Sequence, residues 1–305
     1  METRISVDGR ITRPEDAVVP ALDRGFLYGD SVYEVVWWHR GVLIQCAEHL
    51  ARLRASAAHL YMEITLSDEE LLAAVDATIA ETGLTPEEDA YVRLVVTRGT
   101  SALGLAVDPE ERHCIVVMVA PANRPDSARW ERGLTMIVGD RRRNPRLSLD
   151  PQAKTGNYLN NVLALHEAHL AGADDAIMLN EAGEVTEATT ANVYVVIDGR
   201  LRTPTLEAGI LRGTTRTRIL ALCDTHGIAA EECVVRRADL GVADEVFVSS
   251  SVKGILPVVS IDGRPVGEGV PGPLTRRIRD LFEAAADDEA AVDDETRSAA
   301  RHLHG

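Results

Sequence analysis

Lysine is almost missing from this chain of 305 residues. Lys and Arg together number 32, yet only Lys154 and Lys253 are lysines. Aromatic residues are also scarce, at 4%. The four cysteines, Cys46, Cys114, Cys223 and Cys233, form no CxxC pair and no metal-ligand spacing. They read as reduced, mostly buried thiols, which excludes a disulfide scaffold. The longest clean apolar run, Cys114 to Ala120, is far too short to span a bilayer. Met1-Glu2-Thr3-Arg4 leads into a strand pattern and not a signal peptide. Positive charge is short overall: the formal net charge of −16 argues against nucleic acid and anionic membranes as partners. It says little about a small anionic ligand, which responds to local charge. The expectation is a soluble, cytoplasmic protein with enough chain for two domains.

The elements follow from periodicity and punctuation. Residues 4–7 and 10–12 flank the hairpin signal Asp8-Gly9, and 31–38 and 42–45 read as strands around His39-Arg40-Gly41. Asp23 to Asp30 is a Gly-punctuated loop. Helical spacing runs from Glu48 to Met62, and Ser67-Asp68-Glu69-Glu70 is a capping box for a helix ending at Gly83. Residues 91–97 and 113–119 are strand-like. Pro121 to Pro125 lacks periodicity and reads as a linker. Beyond it, strands are expected at 134–138, 176–179, 192–197, 246–249 and 255–261, and helices to about Ala171, from about Gly213 to His226, and from Pro273 to Ala285. Residues 286–305 are rich in Ala and Asp and are expected to form a frayed or disordered tail. Strands, then helices, then strands again give an α+β fold. Its expected parts are a small domain over 1–120, a linker over 121–126 and a large domain over 127–285.

Four stretches carry chemistry. In Ala153-Lys154-Thr155-Gly156-Asn157 the chain keeps an amine where its other cations are guanidinium groups. Lysine, unlike arginine, can lose its proton and attack a carbonyl. Glu187 lies in a polar turn, Glu184 to Ala191, where the chain re-enters an apolar strand; a carboxylate there suits a protonated ring nitrogen, or simply water. Gly209 to Arg216 opens a helix with Gly, Thr214 and Thr215, a start that suits a phosphate or plain capping. Ser249-Ser250-Ser251 ends a strand with further donors, and Arg52 could complete a charged clamp or remain solvated. His166 and His169 stand three apart with no third ligand at suitable spacing, so no metal is expected. Arg141-Arg142-Arg143 reads as a solvated loop.

In chain order, Tyr28-Gly29-Asp30-Ser31-Val32-Tyr33-Glu34, Lys154-x-x-Asn157, Val185-Thr186-Glu187-x-x-x-x-Asn192-Val193 and Leu211-x-Gly213-x-Thr215-Arg216 resemble the class IV aminotransferases of pyridoxal-phosphate fold type IV. That group holds D-amino-acid, branched-chain and R-selective amine transaminases and aminodeoxychorismate lyases. The resemblance covers about residues 4–283. It implies two domains, the larger a mixed β-barrel with helices, pyridoxal 5′-phosphate between them, and a pocket completed across a homodimer. It implies Lys154 as the Schiff-base lysine and proton carrier, and Glu187 as partner of the pyridine nitrogen. Arg52, Thr214, Thr215 and Ser251 would hold the phosphate, Leu211 would pack on the ring, and Tyr28 and Tyr33 would line the substrate pocket.

The resemblance also bears on the reaction. Tyr33-Glu34-Val35-Val36 and Lys154-x-x-Asn157 are closest to D-amino-acid transaminases, so transfer from a D-amino acid to an α-keto acid is the leading expectation. The Arg and His that usually trap the substrate carboxylate after Thr97-Arg98-Gly99 are replaced by Leu103 and Leu105. Arg93 or Arg98 would then bind it. Tyr91-Val92-Arg93 resembles the branched-chain enzymes, and Trp37 with the two leucines would suit an apolar pocket. A branched-chain L-transaminase, an R-amine transaminase and aminodeoxychorismate lyase are the alternatives, with a non-catalytic cofactor binder behind them. Lys253 is the one rival for the Schiff base.

Overall fold

A computed structural model of the chain describes residues 1–107 and 112–303, with side chains as far as residue 292. It divides into two compact units. The first comprises Met1–Asn123, Ala153–Asn157 and the chain from Ala285 on; the second comprises Arg124–Gln152 and Tyr158–Ala284.

The first unit begins with the hairpin β1 (Arg4–Val7) and β2 (Arg10–Thr12). Where a loop was expected, a short helix forms, α1 (Arg24–Tyr28). Asp23 caps it by accepting from the Phe26 amide, and Gly29 ends it in the left-handed conformation at φ 68°. Then come β3 (Ser31–His39), β4 (Val42–Leu43), α2 (Cys46–His59), α3 (Asp68–Ala80), β5 (Ala90–Thr97) and β6 (Ile115–Pro121). The strands make one antiparallel sheet in the order β2-β1-β6-β5-β3-β4. Alternation decides its faces. Val92, Leu94 and Val96 of β5 pack with Leu50 and Leu53 of α2 and Leu71 and Val75 of α3. Tyr33, Val35, Arg93 and Val95 therefore point to the other face.

The second unit holds α4 (Ser127–Arg132), β7 (Leu134–Arg142), α5 (Leu159–Leu170), β8 (Asp175–Leu179), β9 (Val185–Ala188), β10 (Asn192–Ile197), β11 (Arg200–Pro204), α6 (Thr214–Thr225), β12 (Ala230–Cys233), α7 (Arg237–Leu240), β13 (Glu245–Ser250), β14 (Gly254–Ile261), β15 (Arg264–Pro265) and the start of α8 (Pro273–Leu303), as far as Ala284. Its strands run in the order β12-β11-β10-β13-β14-β7-β8-β9, and β9 also pairs with β10. That last pairing closes six strands into a barrel of mixed direction, with β7 parallel to both β14 and β8. Val193, Val195, Ile177, Val246 and Val258 fill its core. The α+β class and the barrel are as expected.

One helix corrects the sequence reading: α8 continues through Leu303, where a frayed stretch was expected from residue 286. Its residues from Ala285 on count with the first unit, and there they find partners. Ala286 and Ala290 are buried, Asp287 accepts from His39 Nε2 at 2.9 Å, and Glu289 accepts the Gln45 amide at 2.7 Å. Residues 304 and 305 of that stretch lie outside the described residues.

A buried ionic cluster ties α2 to the sheet. Glu34 of β3 accepts from Arg52 Nε at 2.7 Å, from a terminal Arg52 nitrogen at 2.6 Å, and pairs with His49 Nδ1 at 2.7 Å. Burial pushes the Glu34 carboxyl up, but Arg52 and then His49 outweigh it and hold it at about 2, below the usual 4.5. Burial, the largest influence on His49, holds that imidazole below its usual 6.5. A carboxyl held so low contributes stability that is complete above about 4.5 and is lost as pH falls toward 2. The lowered imidazole acts in the same sense, because the unfolded chain binds its proton more readily. Glu34→Gln is expected to lower the melting temperature at neutral pH by several degrees, since breaking a buried pair costs about 3–5 kcal/mol. It should also remove much of the parent's acid sensitivity; circular-dichroism melts across pH check both.

Candidate active site

In the first unit, Ala153–Asn157 lies along the flank of β3. Tyr33 N donates to Lys154 O at 3.0 Å, Gly156 N donates to Ser31 O at 2.9 Å, and Thr155 bridges to Val32. Glycine suits 156, because a Cβ there would sit 2.3 Å from Ser31 Oγ and force that side chain to move. Asn157 Nδ2 donates to Gly29 O at 2.9 Å, which secures the far end of the segment. Lys154 N donates to the hydroxyl of Ser56 on α2 at 3.0 Å. The Lys154 amine stands 4.3 Å from the Tyr33 ring centroid, and the Arg93 guanidinium stands 3.9 Å from the same centroid. One aromatic ring thus carries two cations. Arg93 forms no ion pair among the described residues.

Arg98 is placed differently. It is buried, with Nε on Asp30 Oδ2 at 2.8 Å and a terminal nitrogen on Leu60 O at 2.7 Å. Arg24 Nε shares the same Asp30 oxygen at 2.9 Å, and the other end of Arg24 binds the carbonyls of Gly104, Leu105 and Ala106. Tyr28 joins this loop by accepting the Gly104 amide at 3.4 Å. Arg98, expected as a candidate for substrate carboxylate, is thus engaged by Asp30 and the Leu60 carbonyl. Leu103 and Leu105 are 77% and 79% exposed.

In the second unit, Glu187 is a buried residue of β9 and not part of a polar turn. Its Oε1 accepts from Arg143 Nε at 2.8 Å, and its Oε2 accepts the Leu211 amide at 2.9 Å. Both bonds leave lone pairs on an ionised carboxylate. Arg143 was expected in a solvated basic loop, but it is buried here. Within its run of three arginines no signal sets it apart.

Thr214 and Thr215 are the first residues of α6, and both are buried. The N-cap is Gly213, which brings no side chain to the first amides of the helix. A Cβ at Gly213 would lie 2.1 Å from Asn192 Oδ1, so a larger cap is excluded. Thr215 Oγ1 is buried with no hydrogen-bond partner among the described residues. A buried orphan hydroxyl beside an uncapped helix start fits an anionic group such as a phosphate. Ser251 is half-buried in the turn that follows β13, and Lys253 is exposed in the same turn.

Over residues 31–261 the chain matches the family model described as amino-transferase class IV. It is 36% identical to the putative branched-chain-amino-acid aminotransferase of Methanocaldococcus jannaschii, over 92% of this chain and 95% of that one. It is 32% identical to the D-alanine aminotransferase of Bacillus licheniformis, over 94% of this chain and 99% of that one. Its fold is similar to the crystal structure of the Escherichia coli branched-chain amino acid aminotransferase, with TM-score 0.87 and 31% identity over 93% of this chain and 94% of that one. Enzymes of this family use pyridoxal 5′-phosphate, whose phosphate matches the anion-shaped opening of α6. Taken with the lone amine beside Tyr33, these likenesses mean that the chain belongs to the class IV aminotransferases.

Proposed function

We propose that this enzyme moves the amino group of amino acids with apolar, branched side chains to an α-keto acid, and that Arg93 binds the donor's carboxylate. The observation that carries this reading is the uncommitted Arg93 cation beside Tyr33 and Lys154. Its partners across the strands, Val35 and Met118, are apolar, so the cation stands between apolar neighbours. A side chain without charge fits that floor, and its carboxylate finds a single counter-charge. A preference for D-amino acids is the second reading, supported by Tyr33-Glu34-Val35-Val36 and by the likeness to the D-alanine enzyme.

When bound, pyridoxal 5′-phosphate supplies an electrophilic carbon for the donor's nitrogen and a ring that accepts electron density from Cα. Lys154 would hold it covalently at rest. The Lys154 amine, once neutral, would be the group that holds and moves the proton at the donor's Cα. Glu187, itself oriented by Arg143 and the Leu211 amide, would accept a hydrogen bond from the ring nitrogen and keep that nitrogen's proton in place. Arg52, Thr214, Thr215 and Ser251 would hold the phosphate, Leu211 would lie on the ring, and Tyr28 and Tyr33 would border the substrate. A homodimer in the cytoplasm, with amino and keto acids as its small-molecule partners, completes the proposal.

Lys154→Ala should abolish turnover and the visible absorbance of the bound cofactor, while Lys253→Ala leaves both. Borohydride reduction and peptide mapping should place the pyridoxyl label on Lys154, and a label on Lys253 would reject the assignment. Arg93→Leu is expected to raise KM for amino acids by roughly tenfold to a hundredfold, as loss of a charge-assisted pair does, and to spare R-amines that lack a carboxylate. Arg98→Leu should instead lower the melting temperature. Half-reactions with paired D- and L-amino acids test the substrate class. Leucine, isoleucine and valine should react fastest, and preferential reaction of D-alanine would favour the second reading.

A further inference from the structure

Ser56 is fully buried on α2, one turn beyond Arg52 and two beyond His49. A serine inside a helix commonly bonds back to its own preceding turn. Ser56 Oγ instead accepts the main-chain N–H of Lys154, 98 residues away in sequence, at 3.0 Å. The carbonyl of Lys154 accepts the Tyr33 amide, also at 3.0 Å. Both main-chain polar groups of the lysine are thereby fixed, one by a helix side chain and one by a strand. Ala153 and Thr155 on either side are buried, so the 154 amide has little prospect of a water in place of the hydroxyl. With the peptide held, the Lys154 side chain starts from a defined origin, and its amine stands 4.3 Å from the Tyr33 ring centroid.

We infer that Ser56 is a positioning residue for Lys154: its hydroxyl anchors the peptide from which the amine reaches the donor's Cα. The inference rests on the proposed role of Lys154 as proton carrier. Without the hydroxyl, the 153–154 peptide loses the side-chain tether on its N–H and gains freedom to rotate. Small displacements of a reacting group cost up to about a hundredfold in rate, because the near-attack geometry is lost.

The test uses the full-length holoenzyme as parent, Ser56→Ala, Ser56→Thr and Lys154→Ala. Ser56→Ala is expected to slow the single-turnover half-reaction by about tenfold or more and to shift the acidic limb of its pH profile. Cofactor affinity should stay within about twofold, and the melting temperature should fall by no more than a few degrees. Ser56→Thr, which keeps the acceptor, should recover most of the rate. In the cofactor-free chain, hydrogen exchange at the 154 amide should lose protection in Ser56→Ala alone. An unchanged rate and unchanged amide protection in Ser56→Ala would overturn the inference. So would a rate loss matched by equal losses in cofactor affinity and stability, or a Ser56→Thr enzyme as slow as Ser56→Ala. If Ser56→Ala does not fold, the near-isosteric and weakly accepting Ser56→Cys replaces it, and failure of both would mark the residue as purely structural. Full activity in Lys154→Ala would instead refute the reading of Lys154 itself.

Discussion

Main-chain hydrogen bonds between a five-residue segment and the flank of β3 fix where the single well-placed amine of this protein can go. Tyr33 serves that arrangement twice, with its amide on the Lys154 carbonyl and its ring beneath the Lys154 amine. Gly156 lets the segment approach Ser31 closely, and Asn157 ties its end to Gly29. Local propensity plays little part. The segment is held because β3 is already anchored to α2 by the Glu34 cluster, and α2 then offers Ser56 to the lysine's amide.

Buried carboxylates organise both units in the same manner. Glu34 lies between Arg52 and His49, Asp30 between Arg24 and Arg98, and Glu187 between Arg143 and the Leu211 amide. In a chain with a net charge of −16, Arg24, Arg98 and Arg143 are buried beside these carboxylates, where desolvation strengthens the pairing. Arginine suits these places because its planar fork binds a carboxylate through two parallel bonds and stays charged when buried. An amine able to shed its proton is then found only at Lys154 and Lys253.

The sequence was most readable where composition and punctuation act locally. Lys154 stood out because lysine is rare, the capping box at Ser67 marked the start of α3 within one residue, and Asp-Gly pairs marked the turns. Legibility failed where partners lie far away in the chain. Glu187 read as a turn residue because all four residues of β9 are buried and show no alternation. Arg143 could not be told from its two neighbours, and only the distant Glu187 distinguishes it. The extension of α8 beyond Ala285 depends on His39 and Gln45, more than two hundred residues earlier. Arg98 sat in a motif that invites a substrate role, whereas Asp30 and the carbonyl of Leu60 claim it. The serine of α2 carried no local signal at all, since its partner is the lysine 98 positions on.

The exposure of Lys253, in a chain with just one other lysine, has a practical corollary. Apart from Lys154, the turn after β13 offers the sole side-chain amine of the sequence. Acylating reagents should therefore find one exposed lysine side chain, besides the main-chain amine of Met1. A dye or a solid support could be attached there with uniform orientation, without engineering a handle into the protein.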